Sequence, residues 1–221
     1  MIHILWEDSG LLIVCKPSGT ICERDESKST SLPCLLEQEL VRRGDKPVTL
    51  YPIYRLDKEV SGVLVLAKHA KMAGLLSALV AERRMNKTYL ALAEGTVEPI
   101  ADTLQDLLYH DAKRNKTYVV KRERRGVKPA SLSYERLAVK DGCSVLRIEL
   151  HTGRTHQIRV QLASRQHPVC GDRRYGSSRK GDLSLLCHRV AFVHPVTGEQ
   201  VDVSVWPDFW ETGTDDPAFG D

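Results

Sequence analysis

Closely spaced cysteines are missing from this chain. Its six cysteines (Cys15, Cys22, Cys34, Cys143, Cys170 and Cys187) include no Cys-x-x-Cys pair, which removes the usual spacing of a structural zinc site. An even count invites a disulfide reading. The N-terminus, Met1-Ile2-His3-Ile4-Leu5-Trp6, lacks the basic start and long apolar core of a secretion signal, so reduced thiols and a cytoplasmic location are expected. No apolar run approaches a membrane span, and no membrane partner is expected. Internal repeats and long linkers are absent as well. What is left is the composition of an ordinary globular protein: 221 residues, 42% hydrophobic and 28% charged, with ample length for a core.

Acidic residues are unevenly spread. Asp208 to Asp221 holds five acids and no Lys or Arg, and setting it aside leaves 32 basic against 24 acidic residues, a charge of +8 on residues 1–207. Residues 1–207 are read as a single domain and 208–221 as a poorly ordered acidic end, because Gly213, Pro217 and Gly220 interrupt it. Basic residues cluster in "KRNKTYVVKRERRGVK", Lys113 to Lys128, where Lys121, Arg122, Arg124 and Arg125 are densest. A second group comprises Arg165, Arg173, Arg174, Arg179 and Lys180. One such run is commonly a solvated face; two on a basic body point towards a polyanion, with nucleic acid foremost.

Periodicity places the elements. Ile2–Trp6 and Leu11–Cys15 read as strands, and Leu32–Arg43 as a helix stopped by Gly44. Met72, Leu75, Leu76, Leu79 and Val80 recur at helical spacing. Lys87–Ala93 reads as a strand carrying Tyr89. Leu132–Val139 and Ser144–Leu150 flank the turn Lys140-Asp141-Gly142, and Leu185–Phe192 pairs with Gln200–Val205. Hairpin-connected strands with few helices predict an α+β fold: a mainly antiparallel mixed sheet with flanking helices and loops.

Two stretches carry chemistry. In "YPIYRLDKEVSGVLVLAK", Arg55-Leu56-Asp57 stands at the mouth of Val63–Ala67, a run suited to a strand buried on both faces. In "HTGRTHQIRVQLA", two histidines and two arginines fall within nine residues, and Gln157–Ala163 suits the start of a helix. The five-residue spacing of His151 and His156 fits no zinc pattern, and no metal site is expected. Ser61 lacks a Gly-x-Ser-x-Gly elbow around it. One carboxylate with several arginines remains: an arginine beside a buried Asp keeps it ionised, ready as nucleophile or base, while others grip phosphates. A glycosidase would want two carboxylates flanking the scissile bond, and beside Asp57 these stretches offer only Glu59, two residues further on.

These stretches resemble the RluA-type pseudouridine synthases. "YRLDKEVSGVLVLAK" is similar to their catalytic motif, "KTYLALAEG" to their tyrosine motif and "TGRTHQIRVQLA" to their third motif. "LLIVCKPSGT", "HPVCGDRRYG" and "FVHPVTGE" match further blocks in the same order, from about Leu11 to Val205. With no S4-type module ahead of Leu11, the compact catalytic-domain-only members are the ones it resembles.

The resemblance implies an RNA uridine isomerase of the pseudouridine synthase fold, its cleft lying across the sheet. It acts on ribosomal or transfer RNA, without cofactor or metal because the reaction is redox-neutral; separately from the resemblance, a monomer is expected. It implies that Asp57 attacks, or takes a proton from, the sugar or base of a flipped uridine. Tyr89 packs on the base and can serve in the late removal of the carbon-5 proton, and Arg159 pairs with Asp57. Arg55 helps to extrude the nucleotide, Arg154 and Gln157 shape the pocket wall, and Leu185 aligns with the pocket leucine. Tyr54, Val60, Gln161 and Leu186 depart from the family's usual His, Thr, His and His. A binding protein that keeps this scaffold without turnover is the competing class, against which the intact Asp57, Tyr89 and Arg159 argue.

Overall fold

Strands dominate the computed structural model, which describes residues 2–23 and 31–207; the acidic end at 208–221 lies outside the described residues. In chain order the elements are β1 (His3–Glu7), β2 (Leu11–Lys16), α1 (Leu32–Arg42), β3 (Tyr51–Pro52), β4 (Ser61–Ala67), α2 (Ala70–Ala81) and β5 (Asn86–Glu94). There follow β6 (Ala101–Asp111), β7 (Lys116–Val120), β8 (Val127–Lys140), β9 (Cys143–Leu150), α3 (Gln157–Ala163), β10 (Leu185–Val193) and β11 (Gln200–Ser204). They form one sheet in the order β1-β2-β4-β10-β5-β9-β8-β6-β7, with β3 beside β4 and β11 beside β10. Every ladder among the described residues is antiparallel except β4–β10. The fold is the expected α+β class with a mainly antiparallel mixed sheet.

Val63 to Ala67 have no exposed surface at all, as an uninterrupted β-branched run predicts. Removing each such Val or Leu from water contributes roughly 1.5–3 kcal/mol. Strand β10 lies beside both β4 and β5, with Leu186 opposite Ser61 and Cys187 opposite Gly62. Gly62 has φ +116, and a Cβ there would stand 2.2 Å from the Cys187 carbonyl oxygen. This parallel seam therefore needs glycine, which accounts for the Ser-Gly that follows Arg-Leu-Asp.

Helix α2 buries Met72, Leu76 and Leu79, while Leu75 is 36% exposed; its stripe is narrower than the sequence pattern suggests. The β8–β9 hairpin closes through Asp141 and Gly142, both with positive φ, a type I′ turn. The basic run has more order than its composition implies: Lys116–Val120 is β7, paired with β6, and Lys121, Arg122, Arg124 and Arg125 form the exposed turn into β8.

Candidate active site

Asp57 sits in a loop clamped to the segment after β2. Lys16, fully buried, donates its three ammonium protons to the carbonyls of Pro17, Thr20 and Lys58 at 2.8–3.0 Å, the pairing a buried ammonium requires. Gly19 N–H also donates to Lys58 O, Ser18 Oγ donates to Glu59 O, and Cys22 Sγ exchanges contacts with the backbone of Leu56. The residues on either side of Asp57 are thus fixed by backbone contacts, and its side chain points into a cavity of about 1140 Å³.

Arg159 rises from α3, only 3% exposed, and its guanidinium is hydrogen-bonded to two aspartates, with a glutamate within ion-pair distance. Nη1 donates to Asp57 Oδ2 at 3.1 Å, while Nε and Nη2 grip Asp172 Oδ2 and Oδ1 at 2.6 and 2.9 Å. Glu59 Oε2 lies 3.6 Å from the same Nη1. Burial alone would lower the pKa of Arg159, but the hydrogen bonds and charge of Asp172, joined by Asp57, raise it above its ordinary value. The charge on Arg159 is therefore permanent, and the bidentate grip of Asp172 fixes where it points. Asp172 follows Gly171, whose φ is +78 and where a Cβ would meet the Asp182 carbonyl oxygen at 2.0 Å.

Asp57, Tyr89, Arg159, Arg55, Arg154, Gln157 and Leu185 all line this one cavity. Tyr89 is 6% exposed, and burial, with Cys187 and Asp57 beside it, pushes its phenol well above the ordinary pKa. Gln157 spends its amide on the loop: Oε1 accepts from Thr152 Oγ1 and from Arg154 N, and Nε2 donates to Ser131 O. Arg154 is held through Nε on Pro129 O at 3.0 Å. Arg55 is exposed and pairs with Glu23 at the rim.

The basic residues divide. Arg174 lines the cavity and donates to the carbonyls of Arg114 and Asn115, so the two clusters meet at its mouth. Arg173 is exposed outside it. The Lys121–Arg125 turn lies at the other end of β7 from Asn115, about 17 Å along the strand.

Sequence reasoning missed Asp172 and Tyr175, although both stand in the quoted "HPVCGDRRYG", and weighed His156 only as a metal ligand. His156 Nε2 is 3.7 Å from Asp57 Oδ2 and its Nδ1 is 2.9 Å from Tyr175 Oη. No group of three or more His, Cys, Asp or Glu among the described residues is placed to hold a metal ion.

Asp57 and the buried Arg159 thus meet in a cavity carried by a mixed, mainly antiparallel sheet. Two human proteins, RNA pseudouridylate synthase domain containing 4 and domain containing 1, share that fold. Their TM-scores are 0.77 and 0.75 at 23% and 24% identity, over 94% and 95% of this chain and 90% and 84% of theirs. The family model described as RNA pseudouridylate synthase matches residues 10–164. An uncharacterised RNA pseudouridine synthase of Bacillus subtilis, YhcT, is 31% identical over 90% of this chain and 67% of its own length. Ribosomal large subunit pseudouridine synthase D of Zymomonas mobilis is 30% identical over 91% of this chain and 68% of its own length. Synthase C of Buchnera aphidicola is 31% identical over 90% and 65%. The chain belongs to the RNA pseudouridine synthase family, isomerases that act on RNA. It spans about two thirds of the length of these curated relatives.

Two histidines make the fold sensitive to acid. Burial lowers the pKa of His156 and of His188 below the ordinary 6.5, against the pull of Asp57 on the first and of the Val205 carbonyl on the second. Below pH 6.5 the unfolded chain binds protons that the native state resists, so this stability is complete above 6.5 and is lost as pH falls from there. Urea midpoints should change little between about pH 7 and 8 and decline once the pH passes below 6.5. The loss is separate from that of Glu7, whose pKa the Arg43 hydrogen bond lowers to about 2 and which responds only at stronger acidity.

Proposed function

We propose that this chain isomerises chosen uridines of structured ribosomal or transfer RNA to pseudouridine, with Asp57 as the reacting carboxylate. The observation that carries this reading is Asp57 lining the cavity with Arg159 at 3.1 Å. As the C1′–N1 bond breaks, the carboxylate attacks C1′ or the base, or takes a proton from the sugar. The uracil turns while bound, C5 bonds to C1′ as the carboxylate is released, and the proton lost from C5 is balanced by one gained at N1. No electron leaves or enters, so the reaction needs no redox partner. Tyr89, kept protonated by burial, suits packing against the uracil better than accepting its C5 proton. Leu185, Arg154 and Gln157 form the surrounding wall.

The target base reaches Asp57 by leaving its stack, at a cost of a few kcal/mol that is least in a loop. Arg55 at the rim and Arg174 at the mouth are the cations suited to hold the displaced strand. The names of the Zymomonas and Buchnera relatives favour large-subunit ribosomal RNA over transfer RNA. Residues 1–207 act as one catalytic domain, as a monomer in the cytoplasm; among the described residues no helix is long and apolar enough to cross a membrane. Incubating the protein with unmodified ribosomal and transfer RNA transcripts, then mapping pseudouridine by carbodiimide-blocked primer extension, tests the reading. Stops at discrete uridines are expected, and their absence from both RNAs would overturn it.

Basic residues away from the cavity should serve capture. Each phosphate neutralised adds roughly −0.7 to the slope of log K against log salt for single strands. Reversing the charges of Lys121, Arg122, Arg124 and Arg125 should flatten that slope for a folded stem-loop and slow capture, while single turnover of bound RNA is unchanged. An unaltered slope would assign the RNA path to the Arg173 and Arg174 side.

A further inference from the structure

We propose that His156 is a positioning residue for Asp57: together with Arg159 it holds Oδ2 and leaves Oδ1 as the oxygen presented to the uridine. The inference rests on Asp57 being the reacting carboxylate. Its physical content is a proton arrangement that the backbone of β7 imposes.

The chain of donors runs one way. Thr117, 1% exposed in β7, donates its backbone N–H to Tyr175 Oη at 2.8 Å. With that oxygen accepting from Thr117, the proposed arrangement places the tyrosine proton on the 2.9 Å bond to His156 Nδ1, a bond whose direction depends on the ring tautomer. A neutral imidazole that accepts at Nδ1 carries its proton on Nε2, and Nε2 faces Asp57 Oδ2 at 3.7 Å. Arg159 Nη1 donates to the same oxygen at 3.1 Å, and among the described residues no donor reaches Oδ1. The Nε2 distance exceeds a hydrogen bond, and contacts of this kind commonly tighten only in the substrate complex.

The surroundings fix the ring in this pose. His156 is 7% exposed and its φ is +55, left-handed backbone that costs a non-glycine residue energy and persists where contacts on several sides impose it. His110 on β6 meets the ring edge-on at 6.2 Å and Tyr175 at 5.7 Å. Thr117 Oγ1 also donates to Thr155 O at 2.8 Å, immediately before His156. The β6–β7 hairpin, whose tip meets Arg174 at the cavity mouth, thereby sets the orientation of the carboxylate.

Two measurements test this, the first on the unmodified protein. Long-range nitrogen–proton NMR of the histidine rings should show His156 protonated on Nε2 and bare at Nδ1, and Tyr175→Phe should turn it into a tautomer mixture. The second is kinetic. His156→Asn, which tolerates the left-handed backbone but cannot reach Asp57, should lower kcat by up to about 100-fold with KM unchanged. His156→Gln, whose amide nitrogen can occupy the Nε2 position, should recover most of the rate. A proton on Nδ1 in the unmodified protein, or wild-type kcat in His156→Asn, would overturn the proposal. Full activity in Asp57→Asn would instead sink the assignment of Asp57 as the reacting group, and an inactive Asp57→Asn beside a fully active His156→Asn would sink this inference alone.

Discussion

Asp57→Asn should abolish tritium release from RNA labelled at uridine carbon 5 while leaving fold and RNA affinity nearly intact. The substitution keeps the shape of the side chain and its contact with Arg159 Nη1 through the remaining carbonyl oxygen, so the loop gripped by Lys16 and Cys22 has no reason to move. It removes the anionic oxygen needed for attack or proton abstraction. Losing the reacting group of a cooperating set costs roughly 10⁴-fold or more. Appreciable tritium release by the variant would take Asp57 out of the chemistry.

Asp172→Ala should have the next largest effect, and on two observables at once. Arg159 Nε and Nη2 would lose both hydrogen bonds in a place where the two side chains are 3% and 1% exposed. Breaking one half of a buried ion pair costs about 3–5 kcal/mol, because the survivor stays charged and unsolvated. Arg159 would also be free to rotate towards Asp57 or Glu59, so activity per folded molecule should drop as well. A useful contrast is Arg189→Ala: Arg189 and Asp202 pair at 49% and 39% exposure, and such surface pairs contribute about 0–1 kcal/mol. Equal denaturant midpoints for Asp172→Ala and the wild type would show that the grip on Arg159 is dispensable.

How far the sequence foretold these features depends on the range of the contact behind each. The buried run Val63–Ala67, the helix over residues 70–81 and the Asp141-Gly142 hairpin were legible because local spacing decides them. The Asp57–Arg159 pair was reached through the resemblance of two motifs; spacing alone, across a hundred residues, would not have joined them. Asp172 was hidden because it stands beside Arg173 and Arg174, where a local ion pair is the natural reading. Its actual partner is reached only through the turn at Gly171. His156 looked like a poor metal ligand, and nothing in its neighbourhood announces a left-handed backbone. Strand β6 buries only Leu104 and Leu108, four residues apart, so it shows neither clean alternation nor a helical stripe. Strand β7 was masked by the charges that surround it.

The position of β10 between β4 and β5 has a consequence for biosynthesis. Strand β5 ends at Glu94, whereas β10 begins at Leu185, so a ribosome has long finished one when the other emerges. Until then β5 keeps an unpaired edge, as does the Ser61–Gly62 end of β4, the kind of surface on which nascent chains aggregate. Arg159 is likewise translated before Asp172, and the cavity wall contributed by Leu185 comes later still. A chain interrupted by premature termination ahead of Leu185 therefore carries Asp57, Tyr89 and Arg159 without the seam that assembles them. Catalytic competence arrives late in translation, and chaperone occupancy has a defined interval in which it matters.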